Sequence, residues 1–377
     1  MKRVRTSTLL VGAAAAAVAV PLALSPIFQS SDSETAEPVN DAQEMSLGEA
    51  APDGLVIGSA VAGGGHHHDE DYPDPFTGDA PYRELLATEF TSLSAENQMK
   101  WDHLRPDRDT YAFDDADAIV EFAERNGQVV RGHTLLWHSQ NPDWLENGNF
   151  GADELRAILR DHIETVVGRY EGRIQQWDVA NEIFDDNGNL RTQDNIWIRE
   201  LGPEIIADAF RWAHEADPSA ELYLNDYSVE SVNAKSDAYY RMSQDLLADG
   251  VPLHGFSAQT HLSLQYGFPS DLEDNLRRFE ELGLGTALTE VDVRMPLAEG
   301  AEPTEEQLRQ QADYYLRTLE ACLNLSSCGS YTVWGLPDKY SWVPVTFEGE
   351  GAATIYWDDL TTKPAYDALL EALVDAS

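Results

Sequence analysis

The stretch QWDVANEIF, residues 176–184, reads as a buried strand that breaks into a bare Asn181-Glu182 pair. Leaving a carboxylate at the end of an apolar run is costly unless it has partners or a use. We read this strand as 174–182. Seven further short apolar runs accompany it, at 55–61, 89–95, 129–137, 221–226, 255–261, 285–293 and 330–334. Between them lie amphipathic stretches such as DELRAILRDHIETVVGRY (153–170), PEIIADAFRWAHEAD (203–217) and TEEQLRQQADYYLRTLEACLN (304–324), in which apolar residues return every three or four positions. Strands alternating with helices imply a parallel sheet, and eight strands is the number that closes a (β/α)8 TIM barrel. An open doubly wound sheet is disfavoured, because no Gly-rich phosphate-binding turn follows the first strand.

In such a barrel the C-terminal strand ends form the active face. Here the runs end in SAEN, GHTLLWH, VANE, LND, QTH, LTEVD and VWG, so nearly every strand delivers a polar or aromatic group to one rim. Glu182 and Glu290 close the fourth and seventh strands, positions that face each other across the mouth. Two carboxylates flanking one bond are what glycoside hydrolysis needs, one to protonate the leaving oxygen and one to act as nucleophile or base. Trp137, Trp334 and Trp342 offer flat faces for sugar rings. Asn97, Lys100, His133, Gln140, Asn181, Gln259 and His261 offer partners for hydroxyls. Each feature alone is as readily core packing or capping; their convergence carries the reading.

The series ENQMKWDHLRP, RGHTLLWHSQNPDWL, QWDVANEIF, LYLNDY, QTHL, LTEVDVRMP, VWGLPDKYSW and KPAY resembles, in order, the motifs of the glycoside hydrolase family 10 xylanases. The resemblance runs from about Leu55 to the C-terminus. It implies a retaining endo-1,4-β-xylanase with Glu182 as general acid/base and Glu290 as nucleophile, with Glu182 entering the cycle protonated. It further implies that Asn181 meets the sugar 2-hydroxyl, that His261 bonds the nucleophile with Asp292 behind it, and that Gln259 lies near Glu182. Glu96, Asn97, Lys100, His133, Trp137, Gln140, Trp334 and Trp342 would be sugar contacts, mostly on the glycone side, with Asn225 and Tyr227 on the aglycone side. The implied partners are xylan and xylo-oligosaccharides, with no cofactor. A pentose lacks the hydroxymethyl arm, so aromatic bulk at Trp334 and Trp342 favours xylan; a mixed xylanase and glucanase stays open.

The chain ends and composition add expectations of a different kind. Lys2, Arg3 and Arg5 precede an apolar run from Leu9 to Leu24, so residues 1–30 read as a secretory signal peptide and the protein as secreted. Residues 31–50 read as an acidic disordered linker, and 51–377 as one catalytic domain, expected to be monomeric. Sixty-seven acidic residues face 25 basic ones, a formal charge of −42. Such a field disfavours nucleic acid and anionic membranes as partners and points to a salt-adapted protein. Cys322 and Cys328 are the two cysteines of a chain read as exported; a disulfide is expected, with free thiols the alternative, and the family resemblance supports the pairing.

Two segments depart from the family pattern. AVAGGGHHHDEDYPDPFTGDAPY enlarges the connection after the first strand. Its His66 and His68 raise a metal-dependent hydrolase as a rival, but a site would need ligands from later strands, and a solvated loop, at most an adventitious metal binder, is the expectation. Near the end, VTFEGEGAATIYWDD is expected to form a lengthened or acidic loop. A carbohydrate binder without turnover is the third rival; the presence of both carboxylates in intact motifs argues against it.

Overall fold

The structure, a computed structural model, describes residues 45–298 and 300–377. The signal peptide and residues 31–44 of the expected linker lie outside the described residues. Eight strands form the barrel: β1 (Val56–Val61), β2 (Ser92–Ala95), β3 (Val129–Leu136), β4 (Gln176–Asn181), β5 (Glu221–Asp226), β6 (Gly255–Ala258), β7 (Gly285–Pro296) and β8 (Cys328–Val333). Each pairs in parallel with the next, and β1 pairs with β8 through Val56↔Ser330, so the sheet closes on itself. Helices lie between the strands, and their buried aliphatic and aromatic faces join the strands in one continuous core. The expected (β/α)8 barrel is therefore observed. Among the described residues no helix is long and apolar enough to cross a membrane.

Three local outcomes differ from the sequence reading. The linker does not extend to residue 50, because Leu47–Ala50 is a helical turn capped by a reciprocal Ser46–Glu49 box. Leu47 is fully buried, its N–H bonds Glu89, and the turn packs against the C-terminal helix Pro364–Ala376. The run expected at 255–261 is broken after Ala258 by Thr260 at φ 70°; the chain then re-pairs as a short strand, His261–Ser263, against the far end of β7. That break leaves Gln259 and His261 on the rim from a single connection. Finally, β7 outlasts its expected end at Val293 and reaches Pro296, because Glu350–Gly351 pairs antiparallel with Met295 and Pro296.

Cys322 and Cys328 form a disulfide between the end of helix Glu305–Leu323 and the start of β8. The acidic loop near the end is less extended than its composition suggests. Val343–Thr346 is a helical turn, and Glu350 accepts from Ser263 Oγ at 2.7 Å and pairs with Arg294 Nε at 3.2 Å.

Candidate active site

The strand ends enclose a cleft of about 580 Å³ lined by Glu182 and Glu290 together with residues from both sides of the barrel mouth. Glu182 is the first residue past β4 and has φ 52°; Gln140 (47°), Ser228 (54°) and Thr260 (70°) share the left-handed region around the same rim. Such conformations cost side-chain-bearing residues about 1–3 kcal/mol each and persist where surrounding contacts enforce them. At Glu182 the enforcement is visible: its N–H donates to Asn225 O at 2.9 Å, its carbonyl accepts from Arg191 Nε at 2.9 Å, and the Ile183 N–H donates to Tyr239 Oη at 3.1 Å.

The two carboxylates have different surroundings. Glu182 Oε1 accepts from Gln259 Nε2 at 3.0 Å and lies 3.4 Å from Asn181 Nδ2, while Oε2 lies 3.8 Å from His138 Nδ1. Glu290 Oε1 accepts from Asn225 Nδ2 at 2.8 Å and lies 4.0 Å from His133 Nδ1, and Oε2 is 3.3 Å from His261 Nε2. Burial, the largest single influence on Glu290, favours its neutral form, but His133 and His261 outweigh it and hold the carboxyl below its usual range. His261 is itself pushed up to about 10: burial opposes the charge, and Asp292, 2.8 Å from Nδ1, together with Glu290 overrides it. An imidazolium donates from both nitrogens, so His261 spans the two carboxylates. Asp292 also accepts from Trp342 Nε1 at 2.8 Å, which ties the aromatic wall to the same chain of bonds.

The pH dependence of stability follows from the sign of that shift. The folded protein holds the His261 proton more tightly than an unfolded chain with an ordinary value of 6.5, so the contribution is fully present below 6.5 and is lost as pH rises toward about 10. The difference in urea midpoint between the parent and His261→Gln should therefore shrink as pH is raised across that window; a constant difference would show that His261 is not charged.

The Asn181 amide has two orientations. With Oδ1 toward Asn225 and Gln259 it accepts two N–H bonds, at 2.9 and 3.3 Å. Turned round, it would accept from Trp137 Nε1 at 3.2 Å and donate to the Asn225 carbonyl, but would set its NH2 against two donors. The first arrangement avoids that conflict but faces Nδ2 toward Trp137 Nε1 and Oδ1 toward the Asn225 carbonyl, each at 3.2 Å; it is preferred because it keeps the Asn225 donor on Glu290. Asn225 is then saturated: Nδ2 donates to Glu290 and Asn181, and Oδ1 accepts from Ser257 Oγ at 3.0 Å and Thr289 Oγ1 at 2.7 Å. With 0% exposure and no hydrogen-bonding capacity left, Asn225 is not the aglycone sugar contact expected of it, but a positioning group for Glu290.

The remaining expected sugar contacts line the same cleft. Glu96, Asn97, Lys100, His133, Trp137, Gln140, Tyr227, Trp334 and Trp342 are among its lining residues. Lys100 Nζ donates to Asn97 Oδ1 at 3.1 Å and sits 4.9 Å from the Trp137 ring centre. Burial lowers its pKa, opposed by the charges of Glu96, Glu290 and Glu182.

Sequence reasoning overlooked the groups beneath the site. Asp178, in the middle of β4, bonds Arg131 through one oxygen and His133 Nδ1 at 3.0 Å through the other, and Arg131 also reaches Ser257 Oγ at 3.0 Å. Charges within otherwise apolar runs were the available signal. Burial pushes the Asp178 carboxyl up, and Arg131 and His133 bring it below its usual range. Asp178→Asn should lower unfolding free energy by about 3–5 kcal/mol, since it leaves Arg131 buried without a counter-charge; chemical denaturation measures this, and a loss under about 1 kcal/mol would contradict it. His138 was also passed over, although it stands in the quoted WHSQ motif. The segment expected to be a solvated loop is instead a 3-10 turn, Gly65–Asp69, with His67 only 2% exposed between Tyr72 and Glu96.

The glycosyl hydrolase family 10 model matches residues 49–372. The chain belongs to that family. It is 42% identical over 292 residues to endo-1,4-beta-xylanase B of Thermotoga neapolitana, covering 78% of this chain and 83% of that one. It is 39% identical over 300 residues to an endo-1,4-beta-xylanase of Agaricus bisporus, covering 79% and 88%. Among solved structures, native xylanase 10B of Thermotoga maritima superposes with TM-score 0.80 at 41% identity, covering 88% of this chain and 98% of that one. Xylanase 10B of Thermotoga petrophila, solved with xylobiose, gives 0.80 at 40% identity, covering 88% and 97%. This family 10 protein is accordingly a glycoside hydrolase.

Proposed function

We propose that this protein is a secreted, salt-adapted endo-1,4-β-xylanase working by retaining double displacement. The observation that carries the assignment of roles is the contrast between the carboxylates. Both line the cleft, but Glu290, whose carboxyl His133 and His261 bring below its usual range, suits a nucleophile, whereas Glu182, bonded by the neutral amide of Gln259, suits a proton donor. In the first step a Glu290 oxygen bonds the anomeric carbon while the glycosidic C–O bond breaks and its oxygen takes the Glu182 proton. In the second, Glu182 takes a proton from water, whose oxygen attacks the anomeric carbon and releases Glu290. The family's xylanase members and the Trp334 and Trp342 walls support xylan as substrate.

Salt adaptation rests on the −42 charge, and secretion on the Lys2–Leu24 pattern. Reducing-end release from soluble β-1,4-xylan and β-1,4-glucan, measured from low to molar NaCl, tests the reading. Xylan turnover should exceed glucan turnover and rise with salt. Equal rates on both polymers would replace the substrate assignment with a mixed specificity, activity falling with salt would remove the adaptation, and no turnover on either would overturn the function.

A further inference from the structure

We propose that His66, His67 and Glu96 form a binding site for a divalent transition cation of the zinc class at the rim of the cleft, and that this cation and a sugar chain exclude one another. One potential ligand atom from each residue lies within 4.8 Å of the other two. His67 Nε2 is 2.8 Å from Glu96 Oε2, and His66 Nδ1 is 4.0 Å from Glu96 Oε1. The imidazole rings lie side by side, with centroids 4.0 Å apart. His66 Nε2 is buried without a hydrogen-bond partner.

The local sequence explains the convergence. Gly63, Gly64 and Gly65 all have positive φ, and a Cβ on Gly65 would approach the Asn97 amide carbon to 2.7 Å. The glycine run therefore lets the histidine turn press against the Glu96-Asn97 end of β2. The pair that meets is adjacent, His66 and His67; His68 is exposed and its ring faces His103 at 6.1 Å. Behind His67, Tyr72 Oη lies 2.9 Å from Nδ1. Without a metal, Nε2–H donates to the Glu96 carboxylate and Nδ1 accepts from Tyr72; with a metal in place of that proton, Nδ1–H donates to Tyr72 Oη, which is how partners behind metal-bound histidines fix tautomer and ring orientation.

Bond lengths of about 2.0–2.2 Å require ligand atoms about 3.3 Å apart, so the site must contract on binding. His66 is the member free to swing, with a side chain 20% exposed. Two imidazoles and one carboxylate favour zinc, nickel or copper over magnesium or calcium and leave a coordination position for water. Glu70 favours a cation here and Lys100, tied to Asn97, opposes it. Glu96 and His66 both line the cleft, so a metal takes the Glu96 lone pairs from sugar hydroxyls. This exclusion rests on the proposed xylan-binding role of Glu96; the cation site itself does not.

Equilibrium dialysis of the untagged protein against Zn2+ at neutral pH tests the site, with Co2+ absorption as a second readout. One ion should bind per chain. His66→Gln and His67→Gln should each weaken binding by about tenfold or more, His68→Gln should leave it unchanged, and excess Mg2+ should not displace it. His66→Gln keeps the test decisive if the buried His67 variant fails to fold. Binding unaffected by His66→Gln, or weakened equally by His68→Gln, would overturn the site. For the exclusion, xylotriose is titrated calorimetrically into Glu290→Gln with and without Zn2+. Mutual weakening supports exclusion, and independent binding of both overturns it. Absence of xylotriose binding without Zn2+ would count against the proposed function and the exclusion with it, leaving the cation site to stand on dialysis.

Discussion

Replacing Glu290 by Gln should reduce xylan turnover by on the order of 10⁴-fold or more, because an amide oxygen does not form the glycosyl ester through which the reaction divides. The substitution is nearly isosteric, yet its local cost can be located. Glu290 accepts from Asn225 on one oxygen and from His261 on the other, so a glutamine NH2 must oppose one of these donors. Asp292 still partners His261 and Trp342, which should keep the fold and the aromatic wall in place. The measurement pairs reducing-end release with calorimetric binding of xylotriose. Turnover within tenfold of the parent would remove Glu290 from the nucleophile's role, and loss of binding together with turnover would point to a collapsed site.

Glu182→Ala should behave differently according to substrate. On xylan, whose leaving group needs a proton, turnover should fall by about 10²–10⁴-fold. On an aryl xyloside with an acidic phenol as leaving group the first step needs little acid help, while the second still lacks its base. A covalent glycosyl-enzyme should then accumulate, and intact-protein mass spectrometry should find the added sugar on the Glu290 peptide. Equal losses on both substrates with no adduct would contradict the acid/base role. Gln259 and Tyr239 provide a graded check, since one holds the Glu182 carboxylate and the other the backbone just after it.

Much of this site was legible because barrel chemistry sits at strand ends, and strand ends can be read from where apolar runs stop. Glu182, Glu290, His261 and Trp334 were found in this way. Asn225 was misassigned because a polar residue at a strand end can face either the cleft or the interior, and only the count of its four hydrogen bonds separates the two. Asp178 and Arg131 carry no strand-end signal because they lie within β4 and β3, in the layer below the rim. The GGGHHH run reads as a solvated loop because polar composition normally marks one; the partners Tyr72 and Glu96 come from separate places in the sequence.

Periodicity and short motifs, each within a few neighbouring residues, carry the eight-stranded barrel, the family and the two carboxylates at their strand ends, while the Cys322–Cys328 bond, an expectation with free thiols as its alternative, is seen only in the folded chain. How those carboxylates differ depends on the closed barrel. Glu290 is kept ionised by His133 from β3 and by His261 from the connection after β6, and Glu182 is held by Gln259 from that same connection. The same closure also brings His66 and His67, not His66 and His68, to Glu96. The physical reason is common to both: electrostatic and ligand geometry depends on distances of 3–4 Å between groups far apart in the chain, and these are set only when the barrel closes.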